Sequence, residues 1–267
     1  MNVIQLQPLD LVLASSLLLF DAAISVVLSL GMHRQLLWSS VRMVIQLLVV
    51  GGILHTVFSI SSPLTTLGII VVMMMAATYE VAARPSQKLS GWQGYRIGAI
   101  TISLTSSITV LIALLTAIRP IPWYDARYAI PLMGIVVGNV LTSASLGIDT
   151  FLSGLFQAKG VVEARLALGE TSQQALSPLI RDAIRKGLIP IINQMSATGL
   201  ITLPGIMTGQ ILAGAEPMQA VKYQILFMFL LAGGGGLAAV VSVYLTAHAV
   251  TDKRHRLRLD CLVRRRK

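Results

Sequence analysis

Charge is scarce in this chain. Only 12% of its 267 residues are Asp, Glu, Lys or Arg, whereas 55% are hydrophobic, and the mean hydropathy is +0.77. A soluble domain carries roughly twice that charged fraction, so this composition would expose apolar surface to water almost everywhere. The scarcity of charge therefore excludes an ordinary soluble domain and predicts an integral membrane protein.

Cysteine and several motifs are also scarce or missing. Cys261 is the only cysteine, which excludes an intrachain disulfide and a cysteine-cluster metal site. No basic residue precedes Arg34, so the first apolar segment is interpreted as a permanent span rather than a signal peptide. The sequence has no Gly-x-x-x-x-Gly-Lys-[Ser/Thr] motif and no zinc-protease or serine-hydrolase motif, so neither enzymatic activity nor a bound cofactor is expected.

Apolar segments of about 20 residues, the length a helix needs to cross ~30 Å of hydrocarbon, recur along the chain. They predict an all-α polytopic protein with a single transmembrane domain over residues 1–267 and about seven spans. The last two segments are long enough to tilt, break or continue past the bilayer. The seven segments are Leu9–Leu30, Leu37–Phe58, Leu64–Ala82, Ile97–Ile118, Tyr128–Phe151, Leu188–Gly214 and Val221–Val250.

Basic residues predict the orientation of these spans. With the N-terminus outside, the segments 31–36, 83–96, 157–187 and 251–267 are cytoplasmic and contain 17 of the 21 Lys and Arg residues. Cytoplasmic loops of membrane proteins carry such an excess, which predicts N-out, C-in. The basic tail, 251–267, is expected to lie against anionic lipid headgroups, and no nucleic-acid partner is expected.

The longest segment between spans, 157–187, has the pattern of two short helices. Gly169 is placed to end the first helix, and Thr171 with Gln174 matches a capping box that starts the second. Pro178 lies beyond the first turn of that second helix and is expected to bend or offset it. Two interpretations remain open: an amphipathic helix at the membrane interface, and a helix-turn-helix that docks onto a soluble partner.

Several motifs resemble those of known permeases. Glu163-Ala164-Arg165, followed after three residues by Gly169, resembles the EAA loop of ABC-transporter permeases, with Arg165 in place of its second alanine. The rest of the chain resembles the FetB-type permeases. The motifs that carry this resemblance are Ser40-Val41-Arg42 with Gln46, Ile130-Pro131 with Gly134, Gly138 and Asn139, Leu179 to Arg185, and Leu203-Pro204-Gly205 with Gly209.

This resemblance implies a function. It implies a permease subunit that exports iron or another metal ion from the cell across the inner or plasma membrane, and its plant relatives are linked to aluminium tolerance. It implies a homodimer of permeases and a separate ABC ATPase subunit that binds the ATP. It also implies that ATPase coupling falls on Glu163, Ala164, Arg165, Gly169 and Thr171.

Polar residues inside the predicted spans are candidates for transport. Asp21 and Arg42 fall at similar depth in the first two spans, with Gln46 one turn beyond Arg42. A buried Asp21–Arg42 pair, which would offset the cost of Arg in lipid, and a direct transport role both remain open. The other candidates are Glu80, Asn139, Asn193 and Gln194, and no metal ligands are assigned.

Proline and glycine predict close helix packing or hinges in the last two segments. These residues are Pro204, Gly205, Gly209, Gly233 and Gly234. The alternative function is a secondary transporter or channel for a small ion that needs no ATPase. Such a protein is expected to carry acidic residues deep in several spans, whereas Asp21 is the one clearly deep acid here.

Overall fold

The computed structural model of this protein describes residues 7–60, 62–89, 91–252, 256–258 and 262–264. Cys261 and the tail residues 253–255, 259–260 and 265–267 lie outside the described residues. The chain divides into two compact units, Met1–Ile60 and Ser61–Lys267.

The first unit is a pair of helices, α1 (Pro8–Val27) and α2 (His33–Ile60). The Asp10 carboxylate accepts a hydrogen bond from the Gln7 N–H at 2.9 Å, which caps the first turn of α1. Most side chains of both helices are exposed and apolar, as suits a surface that lies in lipid.

The second unit contains all the other elements. In chain order they are α3 (Pro63–Ala83), β1 (Gln87–Leu89), α4 (Gln93–Ile112) with a π-helical end (Ala113–Ile118), α5 (Ala126–Gln157), α6 (Lys159–Ala167), α7 (Ser172–Ala197), α8 (Gly205–Leu212), α9 (Pro217–Ala249) and β2 (Leu262–Arg264). Apart from the two three-residue strands, the described elements are helical, in agreement with the all-α prediction.

Six helices are long and apolar enough to cross a membrane: α1, α2, α3, α4 with its π-helical end, α5 and α9. They correspond to six of the seven predicted segments. α5 has 32 residues and α9 has 33, which makes each about 50 Å long and longer than the ~30 Å hydrocarbon layer. Helices of this length either tilt in the bilayer or extend beyond it.

The predicted sixth segment, Leu188–Gly214, is broken into parts of two helices, which is one of the alternatives that its length left open. α7 starts at Ser172, passes through Pro178 and Pro190, and ends at Ala197; α8 then covers Gly205–Leu212. The second helix of the 157–187 segment and the first half of the predicted sixth span are thus one helix. Its charged first half lowers its hydropathy, so α7 is not among the six apolar helices.

The break between α7 and α8 lies after Ala197 and not at Pro190. Thr198 is extended and Gly199 has a φ of +92°, a conformation that glycine adopts at little cost. Part of the loop backbone is paired internally, because the N–H groups of Ile201 and Thr202 both donate to the Ala197 carbonyl. Such internal pairing is what a membrane protein needs where a helix is interrupted.

Helices α5, α7 and α9 form the centre of the second unit through close contacts at glycine. A Cβ added at Gly187 of α7 would lie 3.0 Å from both the Ala239 Cβ of α9 and the Ser143 carbonyl oxygen of α5. A Cβ at Gly147 would lie 3.0 Å from a Val243 methyl group. Small residues at these positions allow the helix backbones to approach each other.

Short contacts join the segment after α3, the last turns of α5 and the tail after α9 at one end of this unit. Strand β1, after α3, pairs antiparallel with β2 of the tail. The Asp149 carboxylate of α5 accepts hydrogen bonds from the N–H and hydroxyl of Ser86, each at 2.7 Å. We call this end, formed by the described residues within 84–92, 149–186 and 250–264, the basic end, because it contains the described parts of the predicted cytoplasmic segments of this unit.

The glycine contacts predict a matched pair of substitutions. Gly187→Leu places a side chain where even a Cβ is 3.0 Å from backbone and side-chain atoms, and overpacking of this kind costs about 1–3 kcal/mol. Gly138→Leu, on α5, is the control, because a Cβ there has no described atom within 4 Å. Thermal unfolding of the purified protein in detergent should show a Tm several degrees lower for Gly187→Leu than for Gly138→Leu. Equal melting of the two variants would contradict the packing of α7.

Candidate functional site

Helix α6 ends in a tight glycine turn. The Gly169 N–H donates to the Leu166 carbonyl at 3.1 Å, and the Glu170 N–H donates to the Arg165 carbonyl at 3.2 Å. This pair of bonds is a Schellman motif, with Gly169 at the position that requires a left-handed conformation. Its φ is +96°, so the predicted role of Gly169 as the helix stop is confirmed.

Helix α7 begins two residues later with the predicted capping box. Thr171 is its N-cap, its N–H donates to Gln174 Oε1 at 3.0 Å, and its hydroxyl accepts from the Gln174 N–H at 3.4 Å. These bonds satisfy polar groups that the first turn of a helix otherwise leaves unpaired. We call residues 159–174, that is α6, the glycine turn and the start of α7, the elbow.

The elbow presents an apolar stripe to its surroundings. Val162 is buried against the body of the protein. Val161, Ala164 and Leu168 lie three and four residues apart on the exposed side, and Leu168 is 86% exposed. This exposed apolar stripe is compatible with both interpretations of the segment, contact with the membrane interface and contact with a soluble partner.

The charged residues of the elbow have different roles. Glu163 is exposed and pairs with Lys159 one turn earlier at 3.8 Å. The Arg165 guanidinium is half-buried, 3.2 Å from the Glu170 carboxylate, and donates to the Ala175 carbonyl at 3.4 Å. Arg165 therefore braces the turn from inside, joining the end of α6 to the first turn of α7.

An open groove lies along the inner side of the elbow. Its volume is about 700 Å³, and Arg165, Arg181 and Arg185 line it together with Glu170 and Asp182. A second cavity, of about 560 Å³, lies between the start of α7 and the end of α9, where Thr171 and Gln173 face His248 and Thr251. The elbow is therefore bordered by two open cavities, one lined by Arg165 and the other by Thr171.

Asn139 provides a polar contact between helices inside the second unit. Its Nδ2 donates to the Leu231 carbonyl of α9 at 2.6 Å, and a Cβ at Gly235 would lie 2.7 Å from that nitrogen. Likewise, a Cβ at Gly234 would lie 2.9 Å from the Thr109 hydroxyl of α4. Asn139 thus bridges helices, one of the two roles open to a polar residue at this depth.

The other predicted glycines are not at such contacts. A Cβ at Gly205, Gly209 or Gly233 has no described atom within 4 Å. Pro204 is the N-cap of α8. Gly234 therefore lies at a close helix contact, as do Gly147, Gly187 and Gly235. For Pro204, Gly205, Gly209 and Gly233 a role in helix packing or as a hinge stays a prediction.

The remaining polar candidates are spread over the molecule. In the first unit the side chains of Asp21, Arg42 and Gln46 are exposed, and the ion pairs among the described residues do not include Asp21 with Arg42. Glu80 lies one turn before the end of α3, 3.5 Å from Arg84, and Asn193 and Gln194 are exposed near the end of α7. These residues stay predictions as transport sites.

Sequence patterns did not identify Asp149. Asp149 accepts two hydrogen bonds from Ser86, whose hydroxyl is also 3.3 Å from that of Ser153. The sequence feature that could have identified Asp149 is an acidic residue near the end of the apolar segment Tyr128–Phe151. No group of three or more His, Cys, Asp or Glu side chains is placed to hold a metal ion in the described part of the chain.

Comparisons with known proteins agree with this architecture. A chain from Synechocystis sp., UPF0014 membrane protein slr1647, is 40% identical over 205 residues, 76% of this chain and 77% of the relative. The probable iron export permease protein FetB of Escherichia coli is 31% identical over 93% of each chain. The rice UPF0014 membrane protein STAR2 (Oryza sativa subsp. japonica) is 33% identical over 88% of this chain and 80% of the relative.

A family model gives the same result. Residues 8–251, from the start of α1 to just past the end of α9, match the model described as Uncharacterised protein family UPF0014. No solved structure matches the chain. The six apolar helices and the membrane-protein relatives together make it a multi-pass membrane protein, and the chain belongs to the UPF0014 family.

Proposed function

We propose that this chain is the permease subunit of an ABC transporter that exports iron or another metal ion, with ATP hydrolysed by a separate subunit. The observation that carries the proposal is the elbow, a projecting glycine turn with an exposed apolar stripe on a helix that runs into the core. The name of the Escherichia coli relative, a probable iron export permease, supports both the transport role and the class of cargo.

The elbow has the properties that an ATPase dock requires. Its tip is exposed at Ala164, Leu168 and Gly169, while Arg165 and the capping box hold its backbone in one conformation. Behind the tip, α7 is held at Gly187 against α5 and α9. A force applied to the elbow by a partner would therefore reach the membrane-spanning core through one continuous helix.

The proposed topology is N-out, C-in, with the basic end in the cytoplasm. α7 begins beside the end of α9 and is followed by α8, which packs on the start of α9. The chain thus returns from the basic end to the opposite end through α7, the loop and α8. In our proposal this broken helix makes the sixth of seven crossings.

The subunit composition follows from the same proposal. A permease of this size without nucleotide-binding motifs pairs with a second copy of itself and with two ATPase chains. The alternative, a secondary transporter or channel for a small ion, needs no such partner. Metal transport in vesicles that is unchanged by removal of the ATPase and of ATP would favour that alternative and contradict the proposal.

Docking at the elbow is tested by comparing valine substitutions at two glycines that have the same backbone conformation. Gly169 and Gly214 have φ values of +96° and +94°, and a Cβ at either has no described atom within 4 Å. Valine is strained in that conformation, so both Gly169→Val and Gly214→Val should cost similar stability. Only Gly169→Val is expected to abolish co-purification of the ATPase and ATP-driven metal efflux from vesicles. Equal ATPase binding by both variants at equal expression would refute the docking role.

The broken crossing is tested by thiol accessibility. In a Cys261→Ser background, Gln173→Cys marks the start of α7 and Ala213→Cys marks the end of α8. A membrane-impermeant maleimide added to intact cells should label the thiol at position 213, and the thiol at position 173 should react only after the membrane is opened. Labelling of both from the same side would show that α7 and α8 re-enter instead of crossing.

A further inference from the structure

A groove on the outside of α3 and α4, unrelated to the elbow, has the features of a specific site. Its volume is about 520 Å³, and residues from both helices line it. Val71, Met74 and Met75 of α3 and Ala99 of α4 form its apolar part. Met75 is 59% exposed and Val71 44% exposed. Because α3 and α4 are membrane-spanning helices, this part lies at the depth of acyl chains.

Three aromatic rings mark one end of the groove. The ring centroid of Tyr95 lies 6.3 Å from that of Tyr79 and 6.3 Å from that of Trp92. Tyrosine and tryptophan collect at the level of the lipid headgroups, so this end lies at the membrane interface. From Tyr79 to Val71 is eight residues of helix, about 12 Å, which is enough for the upper part of one acyl chain.

A basic residue lies at the aromatic end. Arg96 lines the groove and is exposed. Arg84, in the same interfacial region, is paired with Glu80 at 3.5 Å, whereas the ion pairs of the described residues do not include Arg96. The groove therefore combines an apolar floor, an aromatic rim and a cation, and none of the described residues that line it is acidic.

We propose that this groove binds one anionic phospholipid, with its headgroup phosphate at Arg96 and an acyl chain along Met75 and Ala99. Charge complementarity selects the anionic class, because a basic pocket between transmembrane helices binds lipid headgroups of opposite sign. A zwitterionic lipid fills the apolar part equally well but interacts less favourably with the guanidinium.

Trp92 reports directly on the occupant. The chain has three tryptophans, and the substitutions Trp38→Phe and Trp123→Phe leave Trp92 as the only tryptophan, which is excited at a wavelength that tyrosine does not absorb. The full-length protein is reconstituted in mixtures of phosphatidylcholine and phosphatidylglycerol, with one of the two brominated near the top of an acyl chain. Quenching of Trp92 against mole fraction gives the relative binding constant of the two lipids at the groove. One basic group near the surface contributes about 1 kcal/mol, so we expect a preference for phosphatidylglycerol of about fivefold.

Matched variants separate the groove from the general surface charge. Arg96→Gln should reduce the preference to about one, and Arg96→Lys should keep most of it. Arg84→Gln removes the same charge from the same region outside the groove and should leave the preference nearly unchanged. Ala99→Phe, which fills the apolar floor without altering charge, should also reduce it. Unchanged quenching by phosphatidylcholine in the Arg96 variants shows that they are folded.

Three results would overturn the proposal. The first is an equal loss of preference in Arg84→Gln and Arg96→Gln, which would assign the effect to surface potential. The second is a preference of about one in the protein with native Arg96. The third combines two observations: neither lipid quenches Trp92, and two copies carrying Met75→Cys in a Cys261→Ser background form a disulfide. That result would show that a second copy covers the groove.

Discussion

The close approach of α7 to α5 and α9 is the constraint on which the rest of the structure depends. A single methyl group at Gly187 would meet the Ser143 carbonyl oxygen and Ala239 at 3.0 Å, so the three backbones are as near as packing allows. Packed interfaces of this kind change between discrete arrangements rather than deforming continuously. α7 is one helix of 26 residues, about 39 Å long, which joins the elbow to this packed centre.

The two ends of α7 differ in how firmly they are held, as a helix that transmits a displacement requires. At the basic end the elbow is braced by Arg165 and the Thr171 capping box, which keep its backbone in a single conformation. At the other end the loop 198–204 has part of its backbone paired internally but carries Leu200 and Ile201 with exposures of 94% and 81%. In the proposed transporter, a displacement of the elbow is delivered along α7 to this loop.

The helix ends that depend on neighbouring residues were predictable from the sequence, whereas the contacts between distant helices were not. The Gly169 stop and the Thr171 capping box depend on residues within five positions of each other, so their spacing alone identifies them. The position of the helix break depends on Gly199 and on bonds to Ala197, whereas Pro190 lies inside α7. Gly187 looked like any glycine in an amphipathic stretch, since its importance comes from Ser143 and Ala239, each more than 40 residues away.

Arg165 shows how a departure from a motif is accommodated. The resemblance to permease loops expects a small residue there, and an outward-facing arginine would break an apolar docking surface. The side chain instead points inward, where it pairs with Glu170 and donates to the Ala175 carbonyl. The outward positions at 161, 164 and 168 remain apolar because a helix presents residues three and four apart on the same face. The substitution therefore alters the support of the elbow and leaves its exposed stripe intact, which is why the docking proposal does not require alanine at this position.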